Sequence, residues 1–156
     1  MQNDAPDKAN VIAPPPLIYG AAFILGLLIH RAFPAPGLPK TLADWIGLVL
    51  VLTSIPIAIT AFRAMIHAQT SFDPRKPTTV IVTAGPFRYS RNPMYLSLTL
   101  LYLGAALILN VLWILLLVVP LLVVIQRGVI AREEAYLERK FGDEYLSYKT
   151  RVRRWV

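Results

Sequence analysis

Cysteine is absent from the 156 residues, which removes thiol nucleophiles, zinc–thiolate sites and structural disulfides together. Histidine is limited to His30 and His67. With nearly all carboxylates elsewhere in the chain, these two cannot assemble a metal site, and no metal is expected. Charge is scarce as well, at 16% of residues against about a quarter in soluble domains. The chain has no Gly-rich strand–turn–helix fingerprint and no soluble stretch long enough for a dinucleotide-binding domain. A disordered chain, a disulfide scaffold and most soluble enzymes are excluded on these grounds.

What is present is apolar length. Hydrophobic residues make up 56% of the chain, and 35 consecutive residues between Arg91 and Arg127 carry no formal charge. Two further uncharged runs, of 22 and 18 residues, lie between Lys8 and Arg31 and between Asp44 and Arg63. A membrane crossing needs about 20 mainly apolar residues, so the long run holds two crossings, with Asn110 as the natural turn. The expected spans are residues 17–33, 42–65, 94–109 and 111–126. Pro14-Pro15-Pro16 precedes the first, and the Pro/Gly-rich segment 34–41 separates the first from the second. Pro56 and Pro120 fall inside the second and fourth, where each removes a backbone donor and is expected to kink its helix. Gly104 with Ala105 and Ala106 permits close helix packing.

The net charge of +7 follows this layout. Of 16 Lys and Arg, 13 lie in residues 63–91 or from Arg127 onward, so both segments are expected on the cytosolic side. Four spans then place both termini there. A cleavable signal peptide is the competing reading of the start; the acidic Asp4 and Asp7, and His30-Arg31 directly after the apolar run, argue against it. From residue 137 the pattern becomes amphipathic: Leu137, Phe141, Tyr145, Tyr148, Val152 and Trp155 recur at steps of three and four. That describes a helix at the membrane surface, divided at Gly142. The expected fold is therefore all-α: a polytopic membrane protein with four transmembrane helices, a cytosolic pre-span loop and a C-terminal amphipathic helix. Its divisions are a tail (1–16), a first transmembrane hairpin (17–66) and a core (67–156).

Two clusters could carry chemistry. The pre-span loop combines a β-branched run, 78–83, with Gly85-Pro86-Phe87-Arg88-Tyr89-Ser90-Arg91-Asn92-Pro93-Met94-Tyr95. Asn92 as N-cap and Pro93 at the first helical position explain two of these residues, and leave the Gly-Pro, the aromatics and the arginines unexplained. The second cluster is Arg127 with Glu133-Glu134. Arg127 and Glu134 are seven apart and fall on one face of a regular helix, as do Gln126 and Glu133. A solvated charge run is the ordinary reading of Glu-Glu. Beside a basic, aromatic loop at the same membrane face, a pocket becomes attractive, since carboxylates hold ribose hydroxyls or a sulfonium and Arg pairs with a carboxylate.

The stretch G-P-F-R-Y-S-R-N-P-M-Y, an apolar hairpin and then E-E-x2-L-x3-F-G-x2-Y-x2-Y together resemble the membrane methyltransferases typified by isoprenylcysteine carboxyl methyltransferase and the related phospholipid methyltransferases. The resemblance covers residues 68–155. It implies S-adenosylmethionine as methyl donor, with contacts at Thr79 and Val82 in the β-branched run, Gly85 and Phe87 in the Gly-Pro-aromatic element, Asn92, Pro93 and Tyr95, and Glu133. Arg127 would lie near the acceptor. Asn92 stands where the prenylcysteine enzymes typically carry histidine, and an amide cannot carry a proton at neutral pH.

Methyl transfer from a sulfonium is an in-line displacement, which needs alignment and exclusion of water. For a carboxylate acceptor, Arg127 or Arg91 would position the oxygen; an amine would arrive deprotonated or lose its proton to Glu134 or water. The leading expectation is a methyltransferase acting on a lipophilic acceptor at the cytosolic face, in the inner membrane of a bacterium or the endoplasmic reticulum of a eukaryote. On the resemblance alone, an isoprenoid or isoprenyl-thioether carboxylate is the first choice of acceptor and a phospholipid amine the alternative. A non-catalytic membrane protein that binds anionic lipid or a partner is the alternative of another class. Nucleic acid is disfavoured, because the basic residues follow topology instead of forming one patch.

Overall fold

Prolines mark where the first three α-helices begin. Pro15 opens α1 (Pro15–Ala32), Pro39 precedes α2 (Lys40–His67) and Pro93 opens α3 (Pro93–Leu109). At these positions a missing N–H leaves no helical bond unmade. Helix α4 (Leu112–Ile125) passes through a π-helical turn, Gln126–Ile130, into α5 (Ala131–Phe141), so that Leu112–Phe141 is one helical rod of 30 residues. Gly142, at φ 53° and ψ −126°, breaks the rod before α6 (Asp143–Arg151). That conformation is open to glycine and strained for other residues. The structure, a computed structural model, describes residues 7–71 and 73–156. Asp4 of the acidic leader lies outside the described residues, as does Phe72 of the loop. Among the described residues there is no strand; the β-branched run 78–83 is irregular backbone.

Among the described residues, three helices are long and apolar enough to cross a membrane: Pro15–Ala32, Lys40–His67 and Leu112–Phe141. Helix α3 is apolar but has only 17 residues, about 25 Å of helix against a hydrocarbon layer of about 30 Å. Pro56 and Pro120 both lie inside helices that continue through them.

Helix α2 packs on α3, and α1 packs on α4. The α2–α3 crossing is set by glycine: a Cβ built on Gly47 would come within 2.8 Å of the Gly104 carbonyl oxygen. Gly104 was legible as a packing residue; its partner was not. Between α1, α3 and α4 lies the main apolar cluster, which includes Tyr102, Ala106, Ile114, Ile125 and Val129. Its two tyrosines are satisfied within the bundle. Tyr19 and Thr99 share a 2.7 Å hydroxyl–hydroxyl bond, and the Tyr102 hydroxyl donates to the Ile114 carbonyl at 3.0 Å. Internal partners are required wherever lipid replaces water.

Asn110 ends α3 in the left-handed conformation, φ 57° and ψ 40°, as the turn between α3 and α4 requires. Its side chain does more than permit the turn. Asn110 Oδ1 accepts from the Leu38 N–H and Nδ2 donates to the Leu38 carbonyl, both at 2.9 Å. Nearby, Trp113 Nε1 donates to the Phe33 carbonyl at 2.7 Å. The α1–α2 and α3–α4 turns therefore sit at one end of the bundle, clasped by side chains, while the loop and C-terminal helices occupy the other. Replacing Asn110 separates the two effects. Asn110→Gly keeps the backbone conformation and loses the clasp, a cost of about 1–2 kcal/mol. Asn110→Ala adds about 1–2 kcal/mol of left-handed strain. Thermal unfolding of the purified protein in detergent should rank wild type above Gly above Ala; equal midpoints for Gly and Ala would show that the left-handed turn costs alanine nothing relative to glycine.

Candidate functional site

At the end opposite the clasp, the first turn of α3, the irregular loop, α5 and the residues before α1 enclose a cavity of about 350 Å³. That is within the range of about 300–1,000 Å³ for small-molecule sites. The 3₁₀ turn Gly85–Arg88 and the R-N-P turn deliver Phe87, Arg91, Asn92, Pro93 and Tyr95 to one wall. Helix α5 delivers Glu133 and Glu134 to another, and Val80, Ile81 and Val82 of the loop close a third. Met65, Met94 and Leu98 supply apolar surface.

The charges at the cavity are arranged as two units. Tyr95 donates to Glu133 Oε1 at 2.5 Å. Glu134, whose side chain is only 8% exposed, lies between two guanidinium groups. Arg154 takes it as a fork, Nε to Oε1 at 2.9 Å and Nη2 to Oε2 at 2.5 Å. Arg91 Nη1 approaches Oε1 at 3.2 Å. The fork geometry is the strongest form of Arg–carboxylate pairing, and Glu134 holds the Arg154 guanidinium above its ordinary pKa.

The C-terminal segment closes over the motif turn. The Arg91 N–H donates to the Arg153 carbonyl at 2.9 Å, and the Arg154 carbonyl accepts from Asn92 Nδ2 at 2.9 Å and Ser90 Oγ at 3.3 Å. Trp155 Nε1 donates to Gln126 Oε1 at 3.0 Å. Two tyrosines of α6 are buried beneath this strap. Tyr148 donates to the Phe87 carbonyl at 2.7 Å and Tyr145 lies beside Arg91. Burial pushes both hydroxyls up to about 12, so they stay protonated donors at neutral pH. A third tyrosine, Tyr136, is a junction: its hydroxyl donates to Asp7 Oδ1 at 2.8 Å and accepts from the Thr78 N–H and Lys140 Nζ, each at 3.1 Å. On the loop, Asp73 is pulled down to about 2 by the Arg75 side chain bonded to it.

Of the residues singled out in the sequence, Val82, Phe87, Arg91, Asn92, Pro93, Tyr95, Glu133 and Glu134 line this cavity. Three do not. Thr79 has its hydroxyl turned to the Gln69 carbonyl at 3.0 Å. Gly85 lies against Ala64 of α2, beside a separate groove on the other side of the loop. Arg127 is exposed on the π turn. The last placement has a clear cause: the seven-residue spacing shares a face only in a regular α-helix, and the wider π turn between Arg127 and Glu134 shifts the register. Asn92 precedes α3 as anticipated, yet its side chain makes no cap bond, being engaged by Arg154. Missed altogether were Tyr136, Arg154 and the N-terminal residues Ala9 and Pro14–Pro16 that line the cavity. Tyr145 and Tyr148 were legible only within the E-E…Y-x2-Y pattern.

Comparison with known proteins bears on these elements. The phospholipid methyltransferase family profile matches residues 42–144, about two thirds of the chain. An uncharacterized protein of Haemophilus influenzae is 52% identical over 63 residues, which is 40% of this chain and the whole of that protein. The family match spans α2 to the start of α6; α1 and the C-terminal strap lie beyond it.

Glu134 gives the site a direct stability test. Glu134→Ala leaves two guanidinium groups without their shared carboxylate, and the loss expected on removing one partner of a buried ion pair is about 3–5 kcal/mol. Loss of helical circular dichroism on heating in detergent should show it, and a midpoint equal to wild type would mean that solvent screens the cluster.

Proposed function

The chain belongs to the phospholipid methyltransferase family, and on that premise we propose that it moves a methyl group from cytosolic S-adenosylmethionine to a lipophilic acceptor drawn from the bilayer. The observation that carries this reading is the convergence of the G-P-F…R-N-P-M-Y stretch and the Glu133-Glu134 pair on one cavity. The residues present fit the donor. The cavity offers a carboxylate engaged by Tyr95 at one oxygen, an incompletely paired Arg91, and apolar walls from Val80, Ile81 and Val82. When bound, the donor supplies a methyl on a sulfonium, whose carbon–sulfur bond breaks as the acceptor's lone pair forms the new bond, leaving a neutral thioether. The chain's part is alignment and exclusion of water. Glu133 favours a cation near it, Phe87 and the loop shield the reacting atoms, and Arg91 holds an anion.

A carboxylate acceptor, of isoprenoid or isoprenyl-thioether type, is the first choice, because Arg91 is a buried cation at the cavity wall. Its oxygen is already anionic and needs no base. A phospholipid amine is the second reading, favoured by the family's own description and by Glu133, whose carboxylate could take the proton an ammonium must lose. Arg127, outside the cavity, would meet lipid headgroups at the surface. The division into a first hairpin (17–66) and a catalytic core (67–156) belongs to the same proposal.

So does a topology of four crossings with cytosolic termini. Support for α3 as the remaining crossing comes from its ends: it starts at the cavity and finishes at Asn110, bonded to the α1–α2 turn. The cysteine-free chain makes orientation measurable. Pro36→Cys should react with an impermeant maleimide on intact cells and Leu146→Cys only after lysis; the reverse pattern would invert the topology.

Membranes containing the protein, incubated with methyl-labelled S-adenosylmethionine, should yield labelled lipid. Label released as methanol by mild alkali identifies an ester, and alkali-stable label an N-methyl group. Absence of labelled lipid, together with no saturable S-adenosylmethionine binding to the purified protein, would remove the enzyme reading in favour of a lipid- or partner-binding protein.

A further inference from the structure

Two cations share one buried carboxylate at this site, and they share it unequally. Arg154 holds both oxygens of Glu134, at 2.9 and 2.5 Å. Arg91 is left with a 3.2 Å approach to Oε1, the oxygen already occupied by Arg154 Nε. Its other contact, Nη1 to the Tyr145 hydroxyl, is 3.5 Å long, at the outer limit of a hydrogen bond. Arg91 Nε is buried with no hydrogen-bond partner among the described residues. The Arg91 side chain is nevertheless 9% exposed, whereas that of Arg154 is 33% exposed. The better-solvated cation thus has the better partner, and the buried one is under-satisfied. A buried guanidinium in that state attracts an anion.

We propose that Arg154 is a positioning residue: by holding Glu134 as a fork, it prevents Glu134 from neutralising Arg91 and so keeps Arg91 available for a carboxylate of a ligand in the cavity. The inference rests on the methyltransferase reading above, under which that carboxylate is the amino-acid end of the methyl donor or the acid group of the acceptor. Without the Arg154 side chain, Glu134 would be free to pair with Arg91 through both oxygens, the geometry a carboxylate and a guanidinium prefer. The backbone staple would survive, because Asn92 and Ser90 bond the Arg154 carbonyl and not its side chain. Arg154 lies beyond the matched region 42–144.

The test compares two thioethers that share a nucleoside. S-adenosylhomocysteine carries the amino-acid end, and 5′-methylthioadenosine lacks it. Each is titrated calorimetrically into the purified full-length protein. Arg154→Gln should weaken S-adenosylhomocysteine about tenfold or more, the effect of losing a charge-assisted bond, and leave methylthioadenosine within about twofold. Arg154→Lys, which contacts Glu134 at one point only, should fall between. If S-adenosylhomocysteine is unchanged but KM for N-acetyl-S-farnesylcysteine rises about tenfold at constant kcat, the anion is the acceptor's and the role of Arg154 stands. Equal losses for both thioethers would make Arg154 merely structural and overturn the proposal, as would no change in any of these measurements. A wild-type protein that binds neither thioether would instead overturn the methyltransferase reading, before any variant is compared.

Discussion

A carboxylate at the end of an apolar rod is the constraint from which the site is built. Glu134 is buried, and a charge removed from water must be matched inside the protein. The two guanidinium groups that match it come from the turn before α3 and from the C-terminal strap. Backbone polar groups hold the same segments together: Arg91 with Arg153, and Asn92 and Ser90 with Arg154. The tyrosines then fasten the loop from beneath, Tyr148 at Phe87 and Tyr136 at Thr78. The cavity is the space left inside this ring of ties.

The π turn Gln126–Ile130 is what aims that carboxylate. A regular helix would carry the face of Arg127 onward to Glu134 and present both together. The wider turn separates them, leaving Arg127 in the open and turning Glu134 inward. It also leaves Gly128 where the Ile12 N–H reaches its carbonyl at 3.2 Å, so the N-terminal segment packs on the same turn. Departures of this kind recur at functional sites because they re-aim side chains without ending the helix.

How much of this was legible in the sequence depended on whether the signal was local. The helix start at Pro93, the turn at Asn110 and the break at Gly142 each rest on one residue's backbone preference and stand where that preference put them, whereas α1 begins at Pro15, inside the proline cluster expected to precede it. The membrane-crossing character of three helices was written in uncharged length. Asn92, Tyr95 and Glu133-Glu134 were found through a pattern of residues, and they converge. Arg154, Tyr136 and the cavity-lining N-terminal residues were not found, because an Arg in a basic tail or a Tyr in a charged helix looks the same whether it faces solvent or a buried partner. The shared face that a seven-residue spacing gave Arg127 and Glu134 is undone by the π turn, and no residue type announces a π turn. The α6 tyrosines carry a period that fits a surface helix, and their burial follows from α6 folding back beneath the strap.

The shortness of α3 carries a consequence for the lipid around it. Under the four-crossing topology proposed above, a 17-residue apolar helix would match a layer thinner than the surrounding bilayer by about 5 Å. With its far end clasped to the α1–α2 turn through Asn110, the mismatch would be taken up at the end that begins with Pro93, beside the cavity. Hydrocarbon there would then thin locally or tilt its chains. Headgroups beside the site would then ride lower than elsewhere on the same leaflet, and a lipid's reactive end would be lowered toward the cavity by the membrane itself.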